Sequence, residues 1–385
     1  MKTLKISLLP KIIIAIVLGL ATGVYMPGEG VRFFLTLNGV FGQFLGFLIP
    51  LLILGLVAPA ISDIGKGTGK MLVATTALAY FATVASGLFS YGISQLIFPA
   101  LIDQSATLGT VSTTGDLTPF FTVEIPAPMN VMTALVLAFT IGLATAGMDS
   151  TALKNVMEDF RQVIVKTINV AIVPLLPLYI YGIFLNMTYT GEVARVLVVF
   201  VKIIGIIFAM HVLLLVFQYI VAGAFVGKNP FRLLWRMMPA YFTALGTQSS
   251  AATIPVTLRQ TEANGVRKNI AGFVVPLCAT IHMSGSVMKI VACAMALMIM
   301  HGTHYDFPLM LGFIMMLAIS IVAAPGVPGG AIMASLGVLA SILGFGEADQ
   351  ALMIALYIAM DSFGTACNVT GDGALALIIN KWFGK

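Results

Sequence analysis

Long apolar segments recur along nearly the whole chain, and their length limits what it can fold into. A helix that crosses the hydrocarbon core of a bilayer needs about 20 predominantly apolar residues. Segments of this kind lie at 8–25, 31–61, 70–99, 129–147, 165–187, 195–225, 270–300 and 350–380. Only 9% of the residues are charged, against about 25% in soluble domains. The sequence therefore predicts an all-α polytopic membrane protein with eight transmembrane helices in a lipid bilayer.

Two further apolar stretches, 231–258 and 308–345, are interrupted by small and helix-breaking residues. Each is followed by a full span, so the second half of the chain reads as a repeat. If the spans alternate, the two stretches enter the membrane from opposite sides as re-entrant helical hairpins, which makes the repeats inverted. Paired broken segments of this kind indicate the midplane binding site of a transporter.

The Lys and Arg residues favour one orientation in the membrane. With the two hairpins not crossing, most of the twenty basic residues fall on the side of the N-terminus. Cytoplasmic loops carry this excess, so we expect cytoplasmic N- and C-termini in a multi-pass protein of the bacterial inner membrane. The net charge of +5 is explained by these short loops. We therefore expect no nucleic acid partner.

Two acidic residues, Asp361 and Asp372, lie deep inside the last apolar segment. Ionisable groups at membrane depth are costly and mark functional sites. On a helix, Asp361, Thr365, Asn368 and Asp372 fall at i, i+4, i+7 and i+11 and share one face. This spacing predicts a polar stripe that binds a cation or a charged substrate.

The interruptions of the two hairpins supply a second set of polar groups. The first contains Ser249 and Ser250, and the second runs from Ala323 to Gly330 with two prolines and three glycines. Irregular backbone at membrane depth is tolerated where protein or a cavity covers it. Its free N–H and C=O groups suit a carboxylate and a bare cation, respectively.

Three motifs in this order carry a family resemblance. They are 249–256 (SSAATIPV), 279–286 (ATIHMSGS), and Gly326–Gly329 followed by Asn368–Asp372. Together they resemble the glutamate-transporter family, also called dicarboxylate/amino acid:cation symporters, over nearly the whole chain. The pattern Asp-Ser-x-x-Thr-Ala-x-Asn from Asp361 is closest to the serine/threonine branch.

The resemblance implies a homotrimeric elevator-type transporter. Its scaffold and trimerisation domain would comprise 1–61 and 129–190, which hold spans 1, 2, 4 and 5. Its moving transport domain would comprise 70–99 and 195–385, which hold spans 3 and 6 to 8 and both hairpins. The second hairpin would act as the gate over the substrate.

The resemblance also assigns roles to single residues. The substrate-binding residues that it implies are Ser249, Ser250, Val327, Pro328, Gly329, Asp361, Gly364, Thr365 and Asn368. Two sodium sites are implied, largely through backbone oxygens, at Asp372, Asn368, Cys278, His282, Thr280 and Met283. A third, degraded cation site would involve Tyr80, Thr83, His282 and Ser284, which lack an anionic ligand.

One departure bears on the substrate. Family members that take acidic substrates carry an arginine where this chain has Gly364, so bidentate recognition of a side-chain carboxylate is absent. No basic residue is near Gly364 in sequence; Lys289 is expected to snorkel or to meet helix-end carbonyls, with no ligand role. We therefore expect a symporter for sodium and a small neutral amino acid such as serine, threonine or alanine.

Alternatives stay open at this point. A sodium- or proton-coupled carrier of dicarboxylates or acidic amino acids requires that a distant basic residue reach the pocket. His282 could carry a proton in place of one sodium, because histidine titrates near neutral pH, or it could be a neutral packing residue. A passive channel is a further alternative. We expect neither an enzyme nor an organic cofactor.

Overall fold

Helices make up almost all of the structure, as the apolar segments predict. The structure is a computed structural model and describes residues 8–65, 69–102, 117–148, 151–191, 193–322, 324 and 329–384. The helices are α1 (Leu8–Gly23), α2 (Gly28–Gly65), α3 (Lys70–Leu101), α4 (Val131–Gly147), α5 (Ala152–Thr167), α6 (Val173–Tyr189), α7 (Val193–Val226), α8 (Pro230–Thr247), α9 (Ser250–Ala263), α10 (Lys268–Ile281), α11 (Ser284–His301), α12 (Phe307–Val322), α13 (Gly330–Leu343), α14 (Glu347–Ala359) and α15 (Asp361–Phe383). A π-helical turn, Ile168–Ile172, joins α5 to α6.

Several of these helices are long and apolar enough to cross a membrane. Among the described residues five qualify by length and composition, and the bent pair α14 and α15 would make a sixth. The five are Gly28–Pro59, Lys70–Leu101, Ala152–Tyr189, Val196–Val226 and Lys268–His301. Helices α1 and α4, with 16 and 17 residues, are apolar but shorter. The chain is thus a polytopic membrane protein.

The first interrupted stretch folds as an antiparallel helix pair, α8 and α9. Asn229 caps α8 through its side chain, and α8 ends at Gln248 in the left-handed region, with φ of 54°. Ser249 then caps α9 by accepting a hydrogen bond from the backbone of Ala252. At the far end, Asn264 Nδ2 donates to the carbonyl of Leu233 at 3.0 Å, which ties the start of α8 to the end of α9.

The second interrupted stretch folds as the pair α12 and α13, which pack against each other. Its tip includes residues 325–328, which lie outside the described residues, so the roles expected for Val327 and Pro328 have no structural counterpart here. Gly329 is described and adopts φ of 77° just before α13. A side chain would be strained at this φ, and glycine avoids the strain.

Two segments expected as continuous spans contain breaks. Between α10 and α11, the N–H of Met283 donates to Thr83 Oγ1 at 3.3 Å instead of continuing the helical ladder. Between α14 and α15, the axis bends by 63° at Met360. The Met360 bend was not expected from the sequence. Both breaks lie in the buried interior, where α15 packs against α7, α8, α9, α10 and α11.

Candidate functional site

A small polar cavity lies where α15, the α14 end, α11 and the tips of both hairpins meet. It has a volume of about 30 Å³ and is lined by Gln248, Ser250, Met283, Ser286, Ala324, Ala331, Tyr357, Asp361, Thr365 and Asn368. A volume of this size holds about one water molecule. The cavity is therefore too small for a solute the size of an amino acid, and the surrounding elements would have to move apart to admit one.

The polar stripe of α15 lies on one buried helix, as the spacing predicts. Asp361, Thr365 and Asn368 line the cavity, and Asp372 continues the stripe one turn further along. All four are buried, with exposed fractions between 1% and 7%. The structure thus brings together the central part of the predicted substrate site.

Asp361 binds two partners from different parts of the chain. Its Oδ2 accepts a hydrogen bond from the N–H of Gly329 at 2.9 Å. Its Oδ1 lies 3.2 Å from Lys289 Nζ on α11. Asp361 also begins α15, where the positive end of the helix dipole stabilises an anion. The amide of Gly329 in the second hairpin, expected to hold the substrate carboxylate, is thus directed at Asp361 in this structure.

Lys289 has no exposed surface and does not snorkel. Its Nζ also lies 3.4 Å from the carbonyls of Tyr357 and Met360 and 3.3 Å from the centre of the Tyr357 ring. The expectation of contact with helix-end carbonyls is confirmed. No basic residue is near Gly364 in sequence, but the fold brings Lys289 of α11 beside Gly364 and the start of α15.

The absence of a side chain at Gly364 leaves the space that the end of the Lys289 side chain occupies. A Cβ atom at Gly364 would lie 2.8 Å from Lys289 Nζ and 3.0 Å from its Cε. Any side chain at this position would compete with the lysine for space. The glycine therefore does more than enlarge the cavity, since it makes room for a cation that comes from another helix.

Asn368 holds α11 and α15 together at the cavity floor. Its Oδ1 accepts from the backbone N–H of Gly285 at 2.8 Å, and its Nδ2 donates to Ser286 Oγ at 3.0 Å. The hydroxyl of Tyr357 donates to the same Ser286 Oγ at 3.1 Å. Ser286 and Tyr357 were not predicted as site residues. The serine inside the apolar run after Met283 is a sequence signal for Ser286, whereas Tyr357 is brought to it by a contact 71 residues away in sequence.

The tip of the first hairpin, between α8 and α9, faces α15. Ser250 is buried and lines the cavity. Ser249 uses its side chain to cap α9, so the two serines have different surroundings. Gln248 Nε2 donates to Ser362 Oγ at 2.8 Å. The tip is thus anchored to the first turn of α15 beside the cavity.

The structure places only some of the predicted sodium ligands close together. Asp372 Oδ1 and His282 Nδ1 lie 2.9 Å apart, both buried. The carbonyl of Cys278 accepts from the N–H of His282. Thr280 is exposed, and its hydroxyl donates to the carbonyl of Leu277 in its own helix. Over the described residues, no group of three or more His, Cys, Asp or Glu could hold a metal ion.

The residues of the third, degraded cation site divide into two groups. Thr83 accepts from the backbone of Met283, and Ser284 Oγ accepts from Gln218 Nε2 at 3.1 Å. Both therefore lie at the α10–α11 break near His282. The hydroxyl of Tyr80 instead points to the carbonyl of Met315 at 3.4 Å, on a partly exposed face.

The chain is similar to known proteins over nearly its whole length. The model of the sodium:dicarboxylate symporter family matches residues 8–382. The serine/threonine transporter SstT of Acinetobacter baumannii is 28% identical over 385 residues, covering 96% of this chain and 95% of that protein. SstT of Streptococcus thermophilus is 28% identical over 398 residues, covering 97% and 96%. The neutral amino acid transporter B(0) of Mus musculus is 31% identical over 159 residues, which are 41% of this chain and 29% of that protein.

Proposed function

Because the chain belongs to the sodium:dicarboxylate symporter family, we propose that it couples uptake of a small neutral amino acid, serine or threonine first, to sodium. The family makes the protein a multi-pass membrane transporter and not an enzyme. The relatives that match nearly its whole length are serine/threonine transporters by name, which supports the choice of substrate.

The observation that carries the proposal is the composition of the cavity. Asp361 can accept a substrate ammonium at Oδ2 once the N–H of Gly329 withdraws from it. Thr365, Asn368 and Ser250 offer hydroxyl and amide groups for the carboxylate and a small polar side chain. None of the described residues that line this cavity is basic. A zwitterion without a second carboxylate fits this charge pattern.

Sodium is the proposed driving ion. It is a hard cation that binds oxygen ligands, and Asp372 with carbonyls at the break between α10 and α11 offers that chemistry. The imidazole of His282 occupies one oxygen of Asp372, so sodium binding requires this pair to separate or to share the carboxylate. We propose two sodium sites and no organic cofactor.

The architecture proposed with this function has eight spans. The five long helices, the bent pair α14–α15, and the shorter helices α1 and α4 would be these eight spans. The pairs α8–α9 and α12–α13 would be the re-entrant hairpins of an inverted repeat. The scaffold would comprise 1–61 and 129–190. The transport domain would comprise 70–99 and 195–385 and would move as an elevator within a homotrimer, with both termini in the cytoplasm.

Uptake into proteoliposomes tests the proposal. Purified protein is reconstituted, and labelled serine is supplied outside with either sodium or choline. We expect accumulation above the outside concentration with sodium and none with choline, because a gradient must drive it. Excess threonine and alanine should compete, and excess aspartate should not. Equilibration without accumulation would indicate a passive channel and would refute the proposal.

A matched pair of variants ties the activity to the cavity. Thr365→Val removes a hydroxyl that lines the cavity and should weaken serine uptake. Thr75→Val removes a buried hydroxyl on α3 that bonds the carbonyl of Met71 in its own helix, and it should leave uptake unchanged. Equal effects of the two variants would argue against the assigned cavity.

A second candidate function is favoured by one observation, the presence of Lys289 beside Asp361 and Gly364. A dicarboxylate or acidic amino acid carrier needs a basic group in this region, and Lys289 is one. We rank it second because the Lys289 ammonium already has three oxygen acceptors. Strong inhibition of serine uptake by aspartate would reverse this ranking.

A further inference from the structure

The Lys289 ammonium occupies a position with the ligands of a cation site. One carboxylate oxygen, from Asp361, and two carbonyl oxygens, from Tyr357 and Met360, lie 3.2 to 3.4 Å from its Nζ. Carbonyls at a broken helix together with a carboxylate are the ligands by which transporters bind alkali cations. An ammonium offers three N–H donors, and these three oxygens can accept all of them.

The helix geometry at this point favours a positive charge. The chain bends by 63° between α14 and α15, so the carbonyl end of α14 is directed at Lys289. Partial negative charge collects at the C-terminal end of a helix and stabilises a cation there. The ring of Tyr357 lies under the ammonium and adds a cation–π attraction. The groups around Lys289 Nζ would therefore stabilise any cation at this position.

The surroundings hold the lysine in this position. Lys289 is fully buried, and the space beside its Nζ and Cε is left open only because residue 364 is a glycine. A carboxylate buried without a partner would be costly or would take up a proton. In this chain the partner is covalently attached, so Asp361 needs no ion from solution.

We propose that Lys289 is a tethered counter-cation that takes the place of a solution cation at Asp361. It keeps this carboxylate neutralised while the substrate cavity is empty, and the empty transport domain can return across the membrane without an ion bound at Asp361. The inference rests on the proposed function in treating the Asp361 cavity as the substrate site and α15 as part of a moving transport domain. Substrate ammonium would use the second oxygen of the carboxylate, which accepts from the N–H of Gly329 in this structure.

The test uses cations alone, without substrate. Thermal unfolding midpoints are measured in detergent and mildly alkaline buffer, with sodium or choline at equal ionic strength. Lys289→Met opens the position and should give a larger sodium-induced rise in midpoint than the wild type. Lys289→Met combined with Asp361→Asn removes the carboxylate and should return the rise to the wild-type value.

The matched control is Lys202→Met. Lys202 is a second lysine within a predicted span, and its Nζ contacts a helix-end carbonyl of α3 away from the cavity, that of Leu101 at 3.4 Å. Its replacement should leave the sodium-induced rise unchanged. A rise in Lys289→Met no larger than in the wild type would overturn the proposal, as would an equal gain in Lys202→Met.

A measurement on the wild type covers the case in which Lys289→Met does not fold. Hydrogen–deuterium exchange is followed in peptides covering 355–366, in sodium and in choline. Because sodium at the proposed Asp372 site would also slow exchange along α15, the measurement is repeated in Asp372→Asn, where a tethered cation predicts the same exchange in both salts for this segment. Slower exchange at 355–366 in sodium that persists in Asp372→Asn would show that an ion binds there despite Lys289, and would overturn the proposal.

The two proposals fail in different experiments. If labelled serine is not accumulated but Lys289→Met gains a sodium response that needs Asp361, the proposed substrate is wrong and the tethered cation stands. If serine is accumulated with sodium but the variant gains no response, the proposed function stands and the role given to Lys289 is wrong.

Discussion

Replacing Gly364 with alanine tests the contact on which the Lys289 argument depends. In an ordinary helix interior this change stabilises by about 0.5–1 kcal/mol. Here the new Cβ would lie 2.8 Å from Lys289 Nζ, about 0.7 Å closer than a normal contact of about 3.5 Å. Overpacking of this kind costs about 1–3 kcal/mol, and breaking the buried ion pair would approach about 3–5 kcal/mol. We expect a net loss of about 1–3 kcal/mol.

The assay is a double-mutant cycle by thermal or chemical unfolding in detergent. Lys289→Ala removes Nζ, Cε and Cδ, the three atoms that crowd the new Cβ. In that background Gly364→Ala should stabilise by about 0.5–1 kcal/mol, as in an ordinary helix interior, so the cycle should give a coupling energy of about 1.5–4 kcal/mol. Gly272→Ala on α10, where a Cβ meets open space, is the control and should change the stability by the same small amount in both backgrounds.

One result would refute the reasoning. If Gly364→Ala destabilises equally with lysine and with alanine at position 289, the lysine does not occupy the space beside Gly364. The contacts of Lys289 with Asp361 and with the α14 carbonyls would then also be in doubt, because the same position of the Lys289 side chain produces all of them.

Three further predictions concern the surrounding network. Ser286→Ala removes the oxygen that accepts from both Asn368 Nδ2 and the Tyr357 hydroxyl and should cost about 1–3 kcal/mol; Ser335→Ala, whose hydroxyl donates to the carbonyl of Ile332 in its own helix, should cost clearly less in the same unfolding assay. Asp372→Asn removes the carboxylate of one of the two proposed sodium sites and should reduce the sodium-induced rise in unfolding temperature; an unreduced rise would exclude this carboxylate as a sodium ligand. Gly364→Arg should lose serine uptake because the side chain collides with Lys289. The same collision should lower the yield of folded protein, and adding Lys289→Ala should restore it and make aspartate a competitor of serine uptake. If the double variant still gives no folded protein, the collision is not the cause.

The features that depend on local spacing were predictable. The positions of Asp361, Thr365 and Asn368 follow from helical periodicity, and α15 carries all three into one cavity. The break of the first hairpin falls at Gln248 and Ser249, where small and hydroxyl-bearing residues interrupt the apolar run. Such signals lie within a few residues of the feature that they predict, so a single sequence is enough to read them.

The bend between α14 and α15 was not predictable in this way. Residues 357–361 contain neither glycine nor proline, the residues that usually mark a sharp kink. The bend coincides instead with Lys289, whose ammonium faces the carbonyls of Tyr357 and Met360. Lys289 and Asp361 are 72 residues apart in sequence, so their contact depends on how α11 and α15 pack.

The same nonlocal contact changes how Gly364 is interpreted. Read alone, a glycine in place of the family's arginine indicates a missing positive charge. In the folded chain the charge is present but comes from α11, and the glycine is what admits it. Under the proposed function, discrimination between neutral and acidic substrates would therefore depend on the direction of the Lys289 ammonium rather than on its presence. Lys289 is directed at Asp361 and the end of α14 and does not line the cavity, so it balances a charge of the protein instead of offering one to a substrate.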